Sequence, residues 1–453
     1  MRPPGGRAHA RWAGLRPLGV RAPERDDATT AEAPDVPRAL SECLNGEVPL
    51  AVRLVDIEQG LECLCLPVSP SGMAYRRLLA LLREGGRPLG WVELPVEEDG
   101  TVALGSLDAA MPRRSGGAPP REEVQSYELA GPDRARATTP MISIVVTTCA
   151  NVELVLRCVE AIRTTVTDAF EIIVVENRPA HSTVAQALAE RFAGDPRVRY
   201  AEEERPGLSR ARNAGLREAR GEIVVFTDDD IVVDTAWASA VREAFTSAPE
   251  VDCVTGLILP LELETVAQLL VERFASFGKG FAPRVYSLAD PPADQPLFPY
   301  TAGYFGSGAN IAFRTDAARA LGGFDPRLGA GTPARAGEDL DICIRLLQSG
   351  RRLAYEPRAI VWHPHPDTDA RLRRQVFGYG VGLGAMLCKQ LLGPGRWKIV
   401  SRAPQGLRYF ADPSSRKNAG RGPTFPRRLN RLELSGVAFG PVAYLTSLLQ
   451  GER

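Results

Sequence analysis

Three short runs constrain the fold of this chain more than any other feature. They are ISIVV, EIIVV and EIVVF, beginning at residues 142, 171 and 222. Each is β-branched and nearly continuous in apolar character, which suits a strand buried on both faces rather than an alternating, half-solvated one. Between them lie segments with helical spacing, VELVLRCVEAIRTT and TVAQALAERFAG. Strands of this kind alternating with helices predict a mostly parallel sheet covered by helices on both faces, an α/β fold of Rossmann-like type. The runs end in polar residues: Thr147 and Thr148, then Glu176 and Asn177, then Asp228, Asp229 and Asp230. In a parallel sheet those ends share one edge, where ligands bind.

The 453 residues are too many for one ordinary core and predict two or three domains. Residues 1–40 carry few large apolar side chains and read as a disordered leader. Residues 48–111 read as a small α/β accessory domain, with strands in PLAVRLVDI and PLGWVELPV and a helix in MAYRRLLALLREGG. A Pro- and Gly-rich linker is expected over 112–140, the main α/β domain over 141–392, and a C-terminal extension over 393–453. Lys+Arg and Asp+Glu both number 55, so no overall field favours a nucleic-acid partner. The eight cysteines are scattered, without zinc spacing or a disulfide framework. With no apolar region near the start to act as a secretory signal, the expected location is cytoplasmic. No continuous apolar run reaches the length of about eighteen residues that a membrane span needs. The closest, GVAFGPVAYLTSLL at 436–449, follows the basic FPRRLNRLEL. It is expected either to lie on the inner face of a membrane as a peripheral amphipathic helix or to dock on the protein itself.

Three adjacent carboxylates repel one another and resist burial unless a cation joins them. If TDDDI stays extended, Asp228 and Asp230 share a face and Asp229 points away. Such a pair suits Mn2+ or Mg2+, with water and phosphate completing the oxygen shell. The competing reading is an Asp-rich turn capping the next helix. The segment GEDLDICIRLLQSG predicts a helix, with Glu338 and Asp339 in its first turn as either caps or catalytic acids. His363 and His365, in VWHPHP, close a predicted strand, where surface histidines are the ordinary reading, and His365 is expected at the surface or on the acceptor side. The glycines of YFGSGANIAFR permit close approach of a ligand.

Seven pieces stand in order: ISIVVTTC, EIIVVEN, GLSRARNAGL, GEIVVFTDDD, GSGANIAFRTDAARALGGFD, GEDLDICIRLLQSG and YEPRAIVWHPH. Together they resemble the family 2 glycosyltransferases of GT-A fold. The resemblance implies that Asp228 and Asp230 hold a metal on the donor diphosphate, with His363 as third ligand. It implies nucleotide-sugar contacts from Thr148, Glu176, Arg212, Asn213 and Asp228. Asp339, beside Glu338, is implied as the general base, and Asn310, Tyr300 and Tyr304 as acceptor-side contacts. The expected activity is inverting transfer of a sugar, of the hexosyltransferase kind, from a nucleotide-diphosphate donor to a hydroxyl on a glycan, a lipid-linked or a small-molecule acceptor. Two departures, TTCA after the first strand and EN after the second, leave the nucleotide open. A nucleotidyltransferase on the same architecture and a non-catalytic sugar-binding scaffold are the alternatives.

Overall fold

A computed structural model describes residues 48–105 and 140–451, apart from 167–168, 180–181, 276, 294, 302, 394–395 and 413–425, of which only 415 and 418 are described. The leader expected over 1–40 and, except for Pro140, the linker expected over 112–140 lie outside the described residues.

The first described unit contains β1 (Leu50–Asp56), β2 (Cys63–Cys65), β3 (Arg77–Glu84), β4 (Arg87–Pro95) and β5 (Thr101–Ala103). Strand β3 pairs parallel with β1 and antiparallel with β4. The helix expected in MAYRRLLALLREGG is therefore a strand, and the described part of this unit is β-structure with one short 3-10 turn. Leucines at mixed spacing satisfy either period, and here tertiary burial decides. Leu78, Ala80 and Leu82 enter a small core of the unit's own, while Leu81 joins the core of the main sheet. A strand sandwiched between two layers buries both faces; a helix would bury one. Gly85 and Gly86, both at positive φ, make the tight turn into β4.

The main body follows as β6 (Ile142–Thr148), α1 (Val152–Thr165), β7 (Phe170–Asn177), α2 (Val184–Arg191), β8 (Val198–Glu203), α3 (Leu208–Glu218) and β9 (Ile223–Asp228). Next come β10 (Val232–Val233), α4 (Trp237–Ser247), β11 (Val251–Pro260), α5 (Val266–Ala275), β12 (Arg284–Tyr286), β13 (Ile311–Arg314) and α6 (Thr315–Ala320). The chain continues through α7 (Glu338–Gln348), β14 (Arg352–His363), α8 (Asp369–Leu392), α9 (Arg396–Val400), α10 (Ala403–Ala411) and α11 (Arg427–Gly451).

Among the described residues nine strands form one sheet in the order β10-β14-β11-β13-β9-β6-β7-β8, with β12 on the flank of β14. Strands β9, β6, β7 and β8 run parallel, and β13 enters antiparallel between β9 and β11. Alternate residues of each apolar run supply two cores. Ile144 and Val146 pack on the side of α1 and α4, whereas Val145 and Phe226 pack on the side of α3 and α7. This double burial is why the runs lack alternation. The register sets Thr147 beside Asp228 and Thr148 beside Glu176, so the polar strand ends stand on one edge.

Ion pairs lock α7 to its surroundings. Lys389 Nζ of α8 lies 2.7 Å from Asp325 and 2.6 Å from Asp341, and Arg345 holds Asp341 at 2.7 Å. Burial opposes ionisation of Asp325, but Arg327 and Lys389 outweigh it and bring its pKa from the usual 3.8 to about 2. A carboxylate with a folded pKa below its unfolded one stabilises the fold above about pH 4, and that stability is lost as pH falls toward 2. We expect Asp325→Asn to cost on the order of 2 kcal/mol at pH 7 in urea unfolding, with the difference vanishing below about pH 2. A pH-independent difference would rule out the ionic origin.

Helix α11 lies along α8 with glycines at the contact. A Cβ at Gly380 would stand 2.2 Å from the Glu433 carbonyl oxygen, and one at Gly384 the same distance from that of Val437. Away from that contact α11 exposes Val442, Leu445 and Leu449. Residues 427–450 are long and apolar enough to cross a membrane by length and composition, which corrects the expectation that no segment is. The continuous-run criterion missed it because polar residues interrupt the apolar ones.

Candidate active site

Strand β9 ends at Asp228 and the backbone turns through Asp229 and Asp230, so the alternation expected of an extended TDDDI does not apply. The three carboxylates instead meet three different elements. Asp228 Oδ1 accepts from Arg212 Nη2 of α3 at 3.2 Å. Asp229 Oδ2 accepts from the Thr148 hydroxyl at the end of β6 at 2.5 Å. Asp230 Oδ1 lies 3.7 Å from His363 Nε2 at the end of β14. Burial pushes the Asp229 carboxyl up to about 7, against the Thr148 hydrogen bond, and Asp230 and Asp228 add to the rise. Burial also raises Asp230, which His363 opposes.

Two details show that this corner fits a cation. Asp230 Oδ1 is shut off from solvent and accepts no hydrogen bond. His363 Nδ1 lies 2.7 Å from the Pro364 carbonyl oxygen, which can only accept, so Nδ1 is the donor there and Nε2 is the ring nitrogen left to meet a cation. Among the described residues no group of three or more His, Cys, Asp or Glu side chains is already gathered as a ligand set.

Arg212 is the hub of the site. It is 1% exposed, and besides Asp228 it donates to Glu338 Oε1 at 2.9 Å and to the Gly308 carbonyl at 3.1 Å. Its guanidinium also lies 5.4 Å from the centre of the Phe324 ring. A Cβ at position 308 would stand 2.6 Å from Arg212 Nη1, which explains the glycine there. The Gly308 N–H donates to Asp339 Oδ2 at 2.9 Å, and the Leu340 N–H to Asp339 Oδ1 at 2.8 Å. Asp339 is thus held by two backbone donors at the start of α7 while keeping lone pairs toward the cavity. Glu338 is 6% exposed; burial and the neighbouring Asp339 push its pKa upward, which Arg212 opposes. Its carboxylate accepts from Arg212 and so helps to position it, beside Asp339 on the cavity wall.

Asp228, Arg212, Asp339, His363, Tyr304 and Tyr300 line one cavity of about 1300 Å3. Thr148 and Glu176 stand at the neighbouring strand ends. Glu176 accepts from the Tyr200 hydroxyl at 2.7 Å through Oε2, while its buried Oε1 has no partner.

Three expectations need correction. The Asn213 amide is spent on the backbone of Phe324, donating to its carbonyl and accepting from its N–H, both at 2.8 Å, so it pins the loop after α6 rather than facing a donor. Asn310 is 1% exposed: it donates to the carbonyls of Ala359 and Leu257 and accepts from the Trp237 indole N–H, which makes it a core pin rather than an acceptor contact. His365, expected at the surface or on the acceptor side, is buried with Nε2 3.0 Å from Glu272 Oε2. In the two asparagines a polar side chain satisfies otherwise orphaned buried backbone groups, which short motifs do not reveal.

The sequence reading overlooked Lys279, Glu272 and Tyr379, which also line the cavity. Burial lowers the Lys279 pKa to about 8, and the Gln375 amide donates to the Tyr379 hydroxyl at 2.6 Å. Lys279, in an irregular loop, had no periodic signal to mark it; Tyr379 sits inside a helix whose glycines dominate its pattern.

The segment that carries this strand-edge site is similar to known proteins. Residues 143–322 match the family model Glycosyl transferase family 2. It is similar to the pre-mycofactocin glycosyltransferase of Mycobacterium tuberculosis, 30% identical over 160 residues that cover 35% of this chain and 30% of that protein. It is also similar to the glucosyl-dolichyl phosphate glucuronosyltransferase of Haloferax volcanii, 23% identical over 175 residues, or 37% of this chain and 51% of that one. Among solved structures it resembles a mannosyltransferase from Pyrobaculum calidifontis in complex with GDP-Man and Mn2+, at 18% identity and a TM-score of 0.41, covering 73% of this chain and 85% of that one. The chain spans under a third of the length of the first of these curated relatives.

Proposed function

We propose that this chain is a metal-dependent, inverting glycosyltransferase that moves a sugar from a nucleotide-diphosphate donor to an acceptor hydroxyl. The observation that carries the reading is that Asp228, His363 and the backbone-held Asp339 open into one cavity. Asp228, Asp230 and His363 would hold Mn2+ or Mg2+, which supplies Lewis-acid stabilisation of the departing diphosphate. Glu176, with its unpartnered Oε1, and Thr148 stand at the strand ends where the nucleotide would bind, and Tyr300 and Tyr304, which line the cavity, would meet the acceptor. Arg212 keeps Asp228 and the start of α7 at a fixed separation. Asp339 takes the proton of the acceptor hydroxyl as its oxygen attacks the anomeric carbon, and the bond from that carbon to the diphosphate breaks on the opposite face. No covalent sugar–enzyme intermediate forms, so the configuration inverts.

The test is binding and turnover of UDP-, GDP- and TDP-sugars by the full chain, with Mn2+, with Mg2+ and with neither. Asp230→Ala and His363→Ala should each weaken Mn2+ binding, read by calorimetry, by more than the roughly 10–100-fold of losing an outer-shell group. Nucleotide release should fall in parallel. Failure of every nucleotide to bind with metal present would overturn the reading in favour of a non-catalytic scaffold.

A further inference from the structure

The cavity continues past the catalytic groups into an apolar limb. Leu383, Leu387, Leu391, Ile399, Phe410 and Val437, drawn from α8, α9, α10 and α11, line it. Tyr300, Ile344, Leu383 and Met386 form a buried cluster there, and Leu387, Ile399, Phe410 and Val437 pack against it only partly buried. These side chains therefore keep apolar surface open to a cavity that begins at Asp339. Leu391 and Leu434, which also line the cavity, are 40% and 47% exposed, and nearby in sequence Leu392 is 62% and Trp397 71% exposed. Exposed basic residues, Arg396 and Lys398, flank Trp397 on α9.

A free sugar gains little from the aliphatic part of such a wall, because its hydroxyls would be desolvated there without partners. A hydroxyl-bearing headgroup joined to a hydrocarbon chain matches both ends, with the head at Asp339 and the chain along the limb. A rim of exposed leucine and tryptophan interleaved with cations is the composition that settles into an anionic bilayer surface. We propose that the acceptor is carried on a membrane lipid, whose apolar chain occupies this limb while the α8–α9 end of the molecule rests on the bilayer. This inference rests on the glycosyl-transfer reading above and names its acceptor class.

Alkyl glucosides serve as probes of the limb. n-Decyl β-D-glucopyranoside, kept below its micelle-forming concentration, is compared with the methyl glucoside by calorimetry on the full chain. A buried methylene is worth roughly fourfold in affinity, so even three of them predict a preference for the decyl probe of roughly fiftyfold. Leu387→Arg should abolish that preference. Leu391→Lys, at an exposed rim position that folding tolerates, should reduce it. Both variants should bind nucleotide with Mn2+ as the parent does. Equal affinity for the two glucosides, or a decyl preference that survives both substitutions, overturns the proposal.

Flotation with phosphatidylcholine vesicles, with and without phosphatidylglycerol, tests the membrane source. The chain should float with the anionic vesicles, and Trp397→Asp should release it. A chain that prefers the decyl probe but stays off both vesicles refutes the membrane-borne acceptor. If nucleotide binding is intact and the alkyl preference absent, this inference fails alone; if no nucleotide binds, the transfer reading itself has failed.

Discussion

Asp339→Asn should lower single-turnover sugar transfer by about a hundredfold to ten-thousandfold while metal-dependent nucleotide binding stays within about twofold of the parent, the loss usual for a removed general base. The amide oxygen of Asn still accepts one of the backbone N–H bonds from Gly308 and Leu340, so the start of α7 keeps its place. What disappears is the basic lone pair that receives the acceptor proton. The measurement pairs chemical-quench transfer with calorimetric nucleotide binding. Glu338→Gln separates the two acids, since it weakens the Arg212 pair and should disturb binding as well as turnover. If Asp339→Asn transferred sugar at the parent rate while Glu338→Gln did not, the assignment of the base would be wrong.

The second large effect is structural. Arg212→Met should destabilise the fold by about 3–5 kcal/mol in urea unfolding, because it strands the Glu338 carboxylate without its cation. Asp228 and the Gly308 carbonyl lose the same donor. The double variant Arg212→Met/Glu338→Gln should recover part of that loss, since the unpaired buried charge is then gone. The opposite sign of coupling, with the double variant less stable than the sum of the singles, would show that the pair is not the source of the effect. A cost below about 1 kcal/mol for Arg212→Met would put the pair in the class of solvated surface ion pairs, contrary to its burial.

Much of the framework was legible in the residues. ISIVV, EIIVV and EIVVF could be read as β6, β7 and β9 because β-branched runs without alternation have few other places to go. The helix of GEDLDICIRLLQSG was legible because its apolar stripe and charged face repeat with helical period. Once those strands are parallel, the gathering of Thr148, Glu176 and Asp228 on one edge follows from register alone. The β3 segment was misread because its leucines fit both periods, and only the layers above and below it decide.

The side-chain partners behave differently. Arg212 meets Glu338 across 126 positions of sequence, and Asn213 meets Phe324 across 111. No local pattern encodes such pairs, because an amide or guanidinium reads alike whether it faces a ligand or closes a buried backbone gap. The turn that sends Asp228, Asp229 and Asp230 toward α3, β6 and β14 is of the same kind: it depends on what those elements present. Local periodicity and strand polarity, which act over a few residues, thus determined the sheet, its helices and the edge where chemistry collects. The sorting of polar groups into pins and site residues, and the apolar limb that leads from Asp339 to the rim, were decided only by tertiary packing, which satisfies buried donors and acceptors across the whole chain.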